Sequence, residues 1–302
     1  MRIENVAICG MGALGMLYGT HIIDNGGNVH YVMDDERLRK YEGRVFYKNG
    51  AAYRLPMCDC AKEEPADLLI VAVKSTGLPS ALEAVEKCVG EDTIILSVLN
   101  GISSEEILAE RFGAEHMIYT VAQGMDAVKA GDELTFSKPG QLLIGAKEPF
   151  QEANLQAVRE YFERIHMPHA VEADIMRRIW GKFMLNVGIN QACMVYEANY
   201  GQCMDPSGEA YRTMIAAMRE VIAVARCEGI EIGEADLNFY VQLVNTLDPT
   251  AMPSMRQDGL AHRPSEVEMF AGTVRRLAQK HGLLVPANDF LYRRVREMEA
   301  AY

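Results

Sequence analysis

No stretch of the 302-residue sequence approaches the ~20 consecutive apolar residues that a helix needs to cross a bilayer, so no membrane insertion is expected. Basic clusters are missing as well. The 30 Lys and Arg face 42 Asp and Glu, a formal charge of -12 with an isoelectric point near 5.1. A surface of that sign repels nucleic acid and anionic lipid, and any anion the protein binds must be held by local geometry. No charged and apolar leader stands before the first strand-like run, and the 7 Cys form an odd set scattered along the chain, so reduced thiols and a cytoplasmic location are expected. Cys58 and Cys60 are the one close pair; without two further ligands nearby they do not make the tetrahedral site zinc prefers, and no metal is expected. His166 and His169 are separated by a Met and a Pro, which spoils helical metal-ligand geometry. No Ser-His-Asp or Cys-His pairing stands out, so nothing suggests a covalent nucleophile.

What is present is length enough for two domains and 49% hydrophobic content, enough for each to bury its own core. The first half alternates short apolar, β-branched runs with helical segments: Ile3 to Cys9, Val29 to Met33, Leu68 to Val73, Ile94 to Val98 and Met117 to Val121. Runs of that kind are strands buried on both faces, and the intervening helices make the sheet parallel. Thr135 to Phe136 and Leu142 to Ile144 are expected as antiparallel additions around a turn at Pro139 and Gly140. Beyond Pro168 the pattern changes to 3.6-residue periodicity, from Ala173 to Tyr196, Ser207 to Glu228, Ala235 to Thr246, Ser265 to His281 and Asn288 to Met298. Ser207, Asp236, Ser265 and Asn288 are the expected N-caps, and Gly229 and Gly282 stand where helices would end. The expected architecture is an N-terminal Rossmann-like α/β domain with a parallel sheet over 1–168, followed by an all-α domain over 169–302. The natural place for a site in such a pair is the cleft between them.

Residues 9 to 15 read CGMGALG. Gly10, Gly12 and Gly15 follow a predicted strand and open a predicted helix, Ala13 to Asn25, that ends at Gly26 and Gly27 before the next strand. In that context the first glycine allows a tight turn, the second lets backbone approach a pyrophosphate, and the third packs helix on strand. Gly10, Met11, Gly12, Ala13, Leu14 and Gly15 are therefore the expected dinucleotide loop. The second strand ends before Asp34, and an acid about twenty residues past the glycines accepts hydrogen bonds from the ribose of NAD and repels the extra phosphate of NADP. Arg37 is close enough in sequence to reach such a phosphate, so both cofactors stay open with the balance toward NAD. Lys74 and Asn100 follow the next two strands, at the sheet edge where ligands of such folds sit, and are expected to face the cofactor.

The segment from Ile179 to Gln191, IWGKFMLNVGINQ, is apolar apart from Lys182, Asn186, Asn190 and Gln191. The first three are spaced by four and share a helix face. A solvated edge would favour Glu, Lys and Arg over repeated Asn, a poor helix former, so a polar site is expected. Lys182 can donate a proton to, or clamp, a carbonyl becoming an alkoxide, and the two amides can hold hydroxyl or carboxylate oxygens.

These motifs together resemble the ketopantoate reductase (2-dehydropantoate 2-reductase) family over essentially the whole chain. The resemblance lies in GMGALG, VKS after the third long strand, LNG after the next, PGQLLIG, WGKFMLNVGIN, and PSMRQD followed by SEVEMFAG, in that order. It implies a Rossmann domain, a helical domain, and reduction of a 2-oxo acid by NADP or NAD, with 2-dehydropantoate giving D-pantoate for coenzyme A biosynthesis. It also implies that Lys182 is the catalytic lysine, Asn186 and Asn190 the substrate amides, Ser254 a substrate hydroxyl ligand and Glu266 the carboxylate completing the site. Read without the family, Ser254 is a loop residue after a proline, and Glu266 an acid in a helix's first turn.

The chain departs from the family pattern in several places. Asp34 stands where an Arg is common, and Asn100-Gly101-Ile102-Ser103 lacks a second glycine. Ala251, Pro253 and Ala271 replace polar residues of the usual substrate shell. The changes leave room for a second function, an NAD-dependent D-2-hydroxy-acid dehydrogenase on the same scaffold, and for a third, a non-catalytic NAD(P)-binding sensor. A homodimer is compatible with all three.

Overall fold

The computed structural model describes residues 1–302. It divides into two compact units, Met1–Ile175 and Met176–Tyr302. The strands, all in the first unit, are β1 (Asn5–Cys9), β2 (Asn28–Met33), β3 (Phe46–Lys48), β4 (Ala51–Tyr53), β5 (Met57–Asp59), β6 (Leu68–Val71), β7 (Ile94–Ser97), β8 (Met117–Met125), β9 (Val128–Ala130), β10 (Glu133–Thr135), β11 (Pro139–Gly145) and β12 (His169–Val171). Between them run α1 (Ala13–Asp24), α2 (Asp35–Tyr41), α3 (Leu78–Ala84), α4 (Ser104–Phe112) and α5 (Glu152–Arg164).

The larger sheet has the order β12-β11-β8-β7-β6-β1-β2-β5. It is parallel except where β11 runs antiparallel to β8. β6 and β7 are buried at every position, as apolar strands covered on both faces must be. From β1 the chain passes through α1 to β2 on one side, then crosses to β6 on the other. The sheet order thus reverses between β1 and β6, a topological switch point of the Rossmann type, and such folds bind ligands at the carboxyl ends of the strands flanking it.

The expected turn at Pro139 and Gly140 is not there. Both residues belong to β11, which pairs along its length with β8. Thr135 ends β10 in a separate four-stranded sheet of order β4-β3-β10-β9. The strands of that sheet have three residues each, too few for a periodic pattern to reveal pairing between segments eighty residues apart. His169–Val171 is likewise a strand, lying beyond residue 168 and pairing in parallel with β11.

The second unit is helical: α6 (Ile175–Leu185), a π-helical turn over Asn186–Asn190, then α7 (Gln191–Val195), α8 (Tyr200–Cys203), α9 (Glu209–Cys227), α10 (Glu234–Asn245), α11 (Ser254–Leu260), a second π-helical turn over Glu268–Gly272, α12 (Thr273–His281) and α13 (Pro286–Glu299). Its core is formed by Trp180, Phe183, Met184, Val187, Met214 and Met218 with Phe270, Val274, Leu291 and Val295, all buried. Each such side chain contributes about 1.5–3 kcal/mol by leaving water. No helix is long and apolar enough to cross a membrane.

Gly229 and Gly282 adopt the left-handed conformation just past α9 and at the end of α12, with φ of 77° and 68°, as expected of helix terminators. All four expected N-caps are displaced. Gly208, Gly233 and Val285 hold three of those positions, and Val267, two residues past Ser265, precedes the π-helical turn there. Asp236 lies inside α10 and takes the Gly233 N–H at 2.9 Å from there. The N–H groups of Ala287 and Asn288 go to the Glu220 carboxylate of α9 at 2.8 and 2.9 Å, so the start of α13 is capped across the fold. Sequence spacing cannot show a cap supplied from another helix.

Candidate active site

The register aligns the carboxyl ends of four strands: Cys9 lies opposite Val32 and Val71, and Val71 opposite Ser97. The first unit therefore brings the glycine loop, Asp34, Lys74 and Asn100 to one edge of the sheet. Gly10 has φ 116°, and a Cβ there would stand 2.5 Å from the Ala72 carbonyl oxygen at the end of β6. A Cβ at Gly15 would meet the Gly10 carbonyl at 2.0 Å, so the third glycine packs α1 onto the turn made by the first. Gly12 has nothing nearer than 3.8 Å on its Cβ side and is exposed. It is the N-cap of α1, with no side-chain cap and no acid in the helix's first turn. Open N–H groups, a positive helix end and space beside them suit a pyrophosphate.

Asp34 is half-buried and caps α2, its Oδ1 accepting the Arg37 N–H at 2.8 Å, while the Arg37 guanidinium lies 3.5 Å from its Oδ2. The arginine that could have met a 2'-phosphate is thus drawn onto the carboxylate. Just inside the edge, Cys9 is buried, and that burial pushes its thiol up to about 12. Lys74 is exposed and starts the turn after β6; Asn100 is half-buried ahead of Gly101, whose φ is 94°.

Beneath the Asn100 turn runs a buried polar chain that the motifs did not single out. Ser97 Oγ donates to Ser104 Oγ at 2.8 Å, which donates to Glu105 Oε2 at 2.7 Å. All three residues are almost fully buried. With the Leu99 N–H also reaching Ser97 Oγ at 3.4 Å, the chain ties the end of β7 to the start of α4 and pins the turn between them. The only sequence signal was a serine pair and an acid shortly after an Asn-Gly turn.

In the second unit Lys182 lies on α6, half-buried; Asn186 is half-buried and Asn190 is 6% exposed at the two ends of the first π-helical turn. In an unbroken α-helix each step of four residues overshoots a full turn by about 40°, so Lys182 and Asn190 would diverge by roughly 80°. The wider i→i+5 turn takes back part of that drift. The three residues expected on one face are thus held closer to one line than the α-helical spacing implies. Gly188 makes the turn's packing possible, since a Cβ there would stand 2.6 Å from the Met218 side chain of α9. Gly181 does the same against the Tyr240 ring of α10 at 2.4 Å. Two glycines seven apart in an otherwise apolar helix were the unread signal.

Glu266 is half-buried and stands just before the second π-helical turn rather than in the first turn of a regular helix; its carbonyl accepts the N–H groups of Met269 and Phe270 at 3.0 and 3.1 Å. The two π-helical turns pack against each other. Ser254, expected in a loop, is the first residue of α11 and exposed, behind Pro253 as N-cap, and α11 packs on the first π-helical turn and on α7.

Comparison with known proteins bears on the family and the fold. Residues 6–149 match the family model described as ketopantoate reductase PanE/ApbA, and residues 174–299 that of the ketopantoate reductase PanE/ApbA C terminal. The 2-dehydropantoate 2-reductase of Vibrio cholerae is 26% identical over 99% of both chains. That of Halobacterium salinarum is 30% identical over 73% of this chain and 72% of its own. Among solved structures, D-mandelate dehydrogenase with NADH and anilino(oxo)acetate superposes with a TM-score of 0.86 at 23% identity, covering 98% of each chain. The PanE/ApbA family ketopantoate reductase from Ralstonia eutropha gives 0.83 at 25% identity, covering 98% of this chain and 99% of its own. A dimeric ketopantoate reductase from Staphylococcus aureus gives 0.81 at 21%, covering 98% and 99%. The chain belongs to the ketopantoate reductase family, nicotinamide-dependent oxidoreductases that act on a CH–OH group.

Proposed function

We propose that the protein reduces the 2-oxo group of a small 2-oxo acid, with 2-dehydropantoate the leading substrate and D-pantoate the product. The observation that carries this is the line of Lys182, Asn186 and Asn190 on one widened helix, packed against the turn that follows Glu266. The names of the relatives support the choice of substrate. The nicotinamide, when bound, supplies the hydride to C2. The open N-terminus of α1 and the loop from Gly10 to Gly15 would hold its pyrophosphate, with Lys74 and Asn100 at the neighbouring strand ends.

On the protein's side the chemistry is a matter of charge and protons. The Lys182 ammonium stabilises the oxygen that gains negative charge and delivers the proton to it. Asn186 and Asn190 orient the acid through neutral hydrogen bonds, and the Ser254 hydroxyl adds a further contact. The Glu266 carboxylate orients a substrate hydroxyl or the lysine.

A second reading, an NAD-dependent D-2-hydroxy-acid dehydrogenase, is favoured by Asp34 and by the small residues at 251 and 271. Ala271 is fully buried. The D-mandelate dehydrogenase likeness fits it. Asp34 supports NAD in either case. Assay of the purified protein with NADH and NADPH against 2-dehydropantoate and a set of branched and aromatic 2-oxo acids tests both. Oxidation of either cofactor with 2-dehydropantoate is the expected result; turnover confined to branched or aromatic acids would replace the first reading with the second. Phe239 and Leu243 on the outer face of α10, continued by Leu247, are each more than 40% exposed, which supports a homodimer like the Staphylococcus aureus relative. A sedimentation mass equal to one chain would contradict it.

A further inference from the structure

Gln191 is wholly buried, yet neither the glycine loop nor the polar line accounts for it. It is the first residue of α7, directly after the π-helical turn that carries Asn186 and Asn190. Its Nε2 donates to the Val187 carbonyl inside that turn at 2.7 Å. Its Oε1 accepts the N–H of Ala271, eighty residues away in the second π-helical turn, at 3.2 Å.

The second bond follows from the winding of that turn. In an α-helix the Val267 carbonyl would take the Ala271 N–H; here it takes the Gly272 N–H instead, at 2.9 Å. The Ala271 N–H goes to Gln191. A buried N–H without an acceptor is costly, so the side chain that supplies one stabilises the widened form of the turn over the regular one. Gln191 therefore reaches both irregular turns at once, with a donor for one and an acceptor for the other. Val187 and Ala271 are fully buried, so water does not compete for either bond.

We propose that Gln191 is a positioning residue that locks the two π-helical turns together and so fixes Asn186 and Asn190 relative to Glu266. It touches no reacting atom; it acts by setting the phase of the helices that carry them. The assignment builds on the reading of Lys182, Asn186, Asn190 and Glu266 as the reacting site, and Lys182→Ala in the same assay tests that reading separately. Displacement of positioned groups by an ångström can cost about 100-fold in rate.

The test uses two variants of the full chain. Gln191→Leu keeps the volume and removes both bonds. It is expected to raise KM for the 2-oxo acid and lower kcat, a loss in kcat/KM of about 10- to 100-fold, while the dissociation constant for the nicotinamide cofactor stays as in the parent. Gln191→Glu separates position from mere stability. As a neutral acid the glutamate donates to Val187 with one oxygen and accepts from Ala271 with the other; ionised, it has no proton to donate. Burial favours the neutral form, so its kcat/KM relative to the parent is expected to be near full at low pH and to fall as pH rises. A folded Gln191→Leu with parental KM and kcat overturns the proposal, and so does one that weakens cofactor and substrate equally. If Gln191→Leu does not fold, the glutamate variant decides: a ratio to the parent that is flat with pH overturns it. Should Lys182→Ala keep parental turnover, the site reading fails, while the pH-dependent ratio still reports on the lock.

Discussion

In the first unit the candidate cofactor site is made of backbone: the N–H groups of an uncapped helix, a glycine in a left-handed turn, and strand ends brought level by a parallel register. In the second unit the candidate substrate site is made of side chains, and their positions depend on two turns where the helix departs from regular winding. The first kind of site needs small residues at fixed places and tolerates little else. The second needs particular functional groups and a particular helical phase. Removing one group should therefore be felt differently in the two units, and the difference is measurable.

The largest effect is expected at Lys182. Lys182→Ala removes the one cationic group of the polar line and should lower turnover by about 100- to 10,000-fold, the usual range for loss of a general acid or an oxyanion donor. Cofactor binding, read by quenching of protein fluorescence, should not change, because the pyrophosphate cradle is backbone in the other unit. A variant that lost cofactor binding in proportion to turnover would break the division of labour between the two units.

The converse is expected at Gly10, through stability and cofactor affinity together. Gly10→Ala forces an alanine to φ 116° and drives its Cβ to 2.5 Å from the Ala72 carbonyl. Strain at such a φ and overpacking against rigid backbone each cost about 1–3 kcal/mol. For a unit of this size the two together correspond to a melting midpoint lower by roughly 4–24 °C, and calorimetry should show the loss in the transition that cofactor normally raises. A midpoint within a degree of the parent would mean that the loop can move away from β6, and that backbone does not constrain the site as tightly as the distances indicate.

The same contrast explains what could be read from the residues alone. The strand runs, the glycine loop and its flanks, Asp34 and the helical second half were legible because buried parallel strands and glycine turns leave patterns confined to a few consecutive residues. The small sheet joining residues 46–53 to 128–135 was not, since three-residue strands carry no usable period. Nor were the π-helical turns. Lys182, Asn186 and Asn190 were found by their spacing of four, but the turn that draws them into line leaves no periodic trace, and Ser254 and Glu266 could be named only through the family resemblance. Glu220, capping α13 from α9, and Ser97, Ser104 and Glu105 under the Asn100 turn act through contacts that depend on tertiary structure. Sequence showed which groups were present in the second unit, but their geometry comes from packing.

Asp34 tests a place where the backbone-built site depends on a side chain. Its carboxylate already accepts the Arg37 N–H and attracts the Arg37 guanidinium, so Asp34→Ala both removes an acceptor for ribose hydroxyls and releases an arginine toward the space a 2'-phosphate would occupy. A hydrogen bond to a charged group contributes about 1.5–3 kcal/mol, so kcat/KM with NADH should fall by roughly 10- to 160-fold. With NADPH it should rise or hold, because the repulsion is gone and a cation is freed. The cost to stability is smaller, about 1 kcal/mol for an N-cap replaced by alanine, and melting followed in parallel keeps the two effects apart. If both cofactors lost efficiency alike, Asp34 would be a helix cap and nothing more. Cofactor choice would then have to lie in the backbone loop as well, and the contrast between the two units would be sharper than drawn.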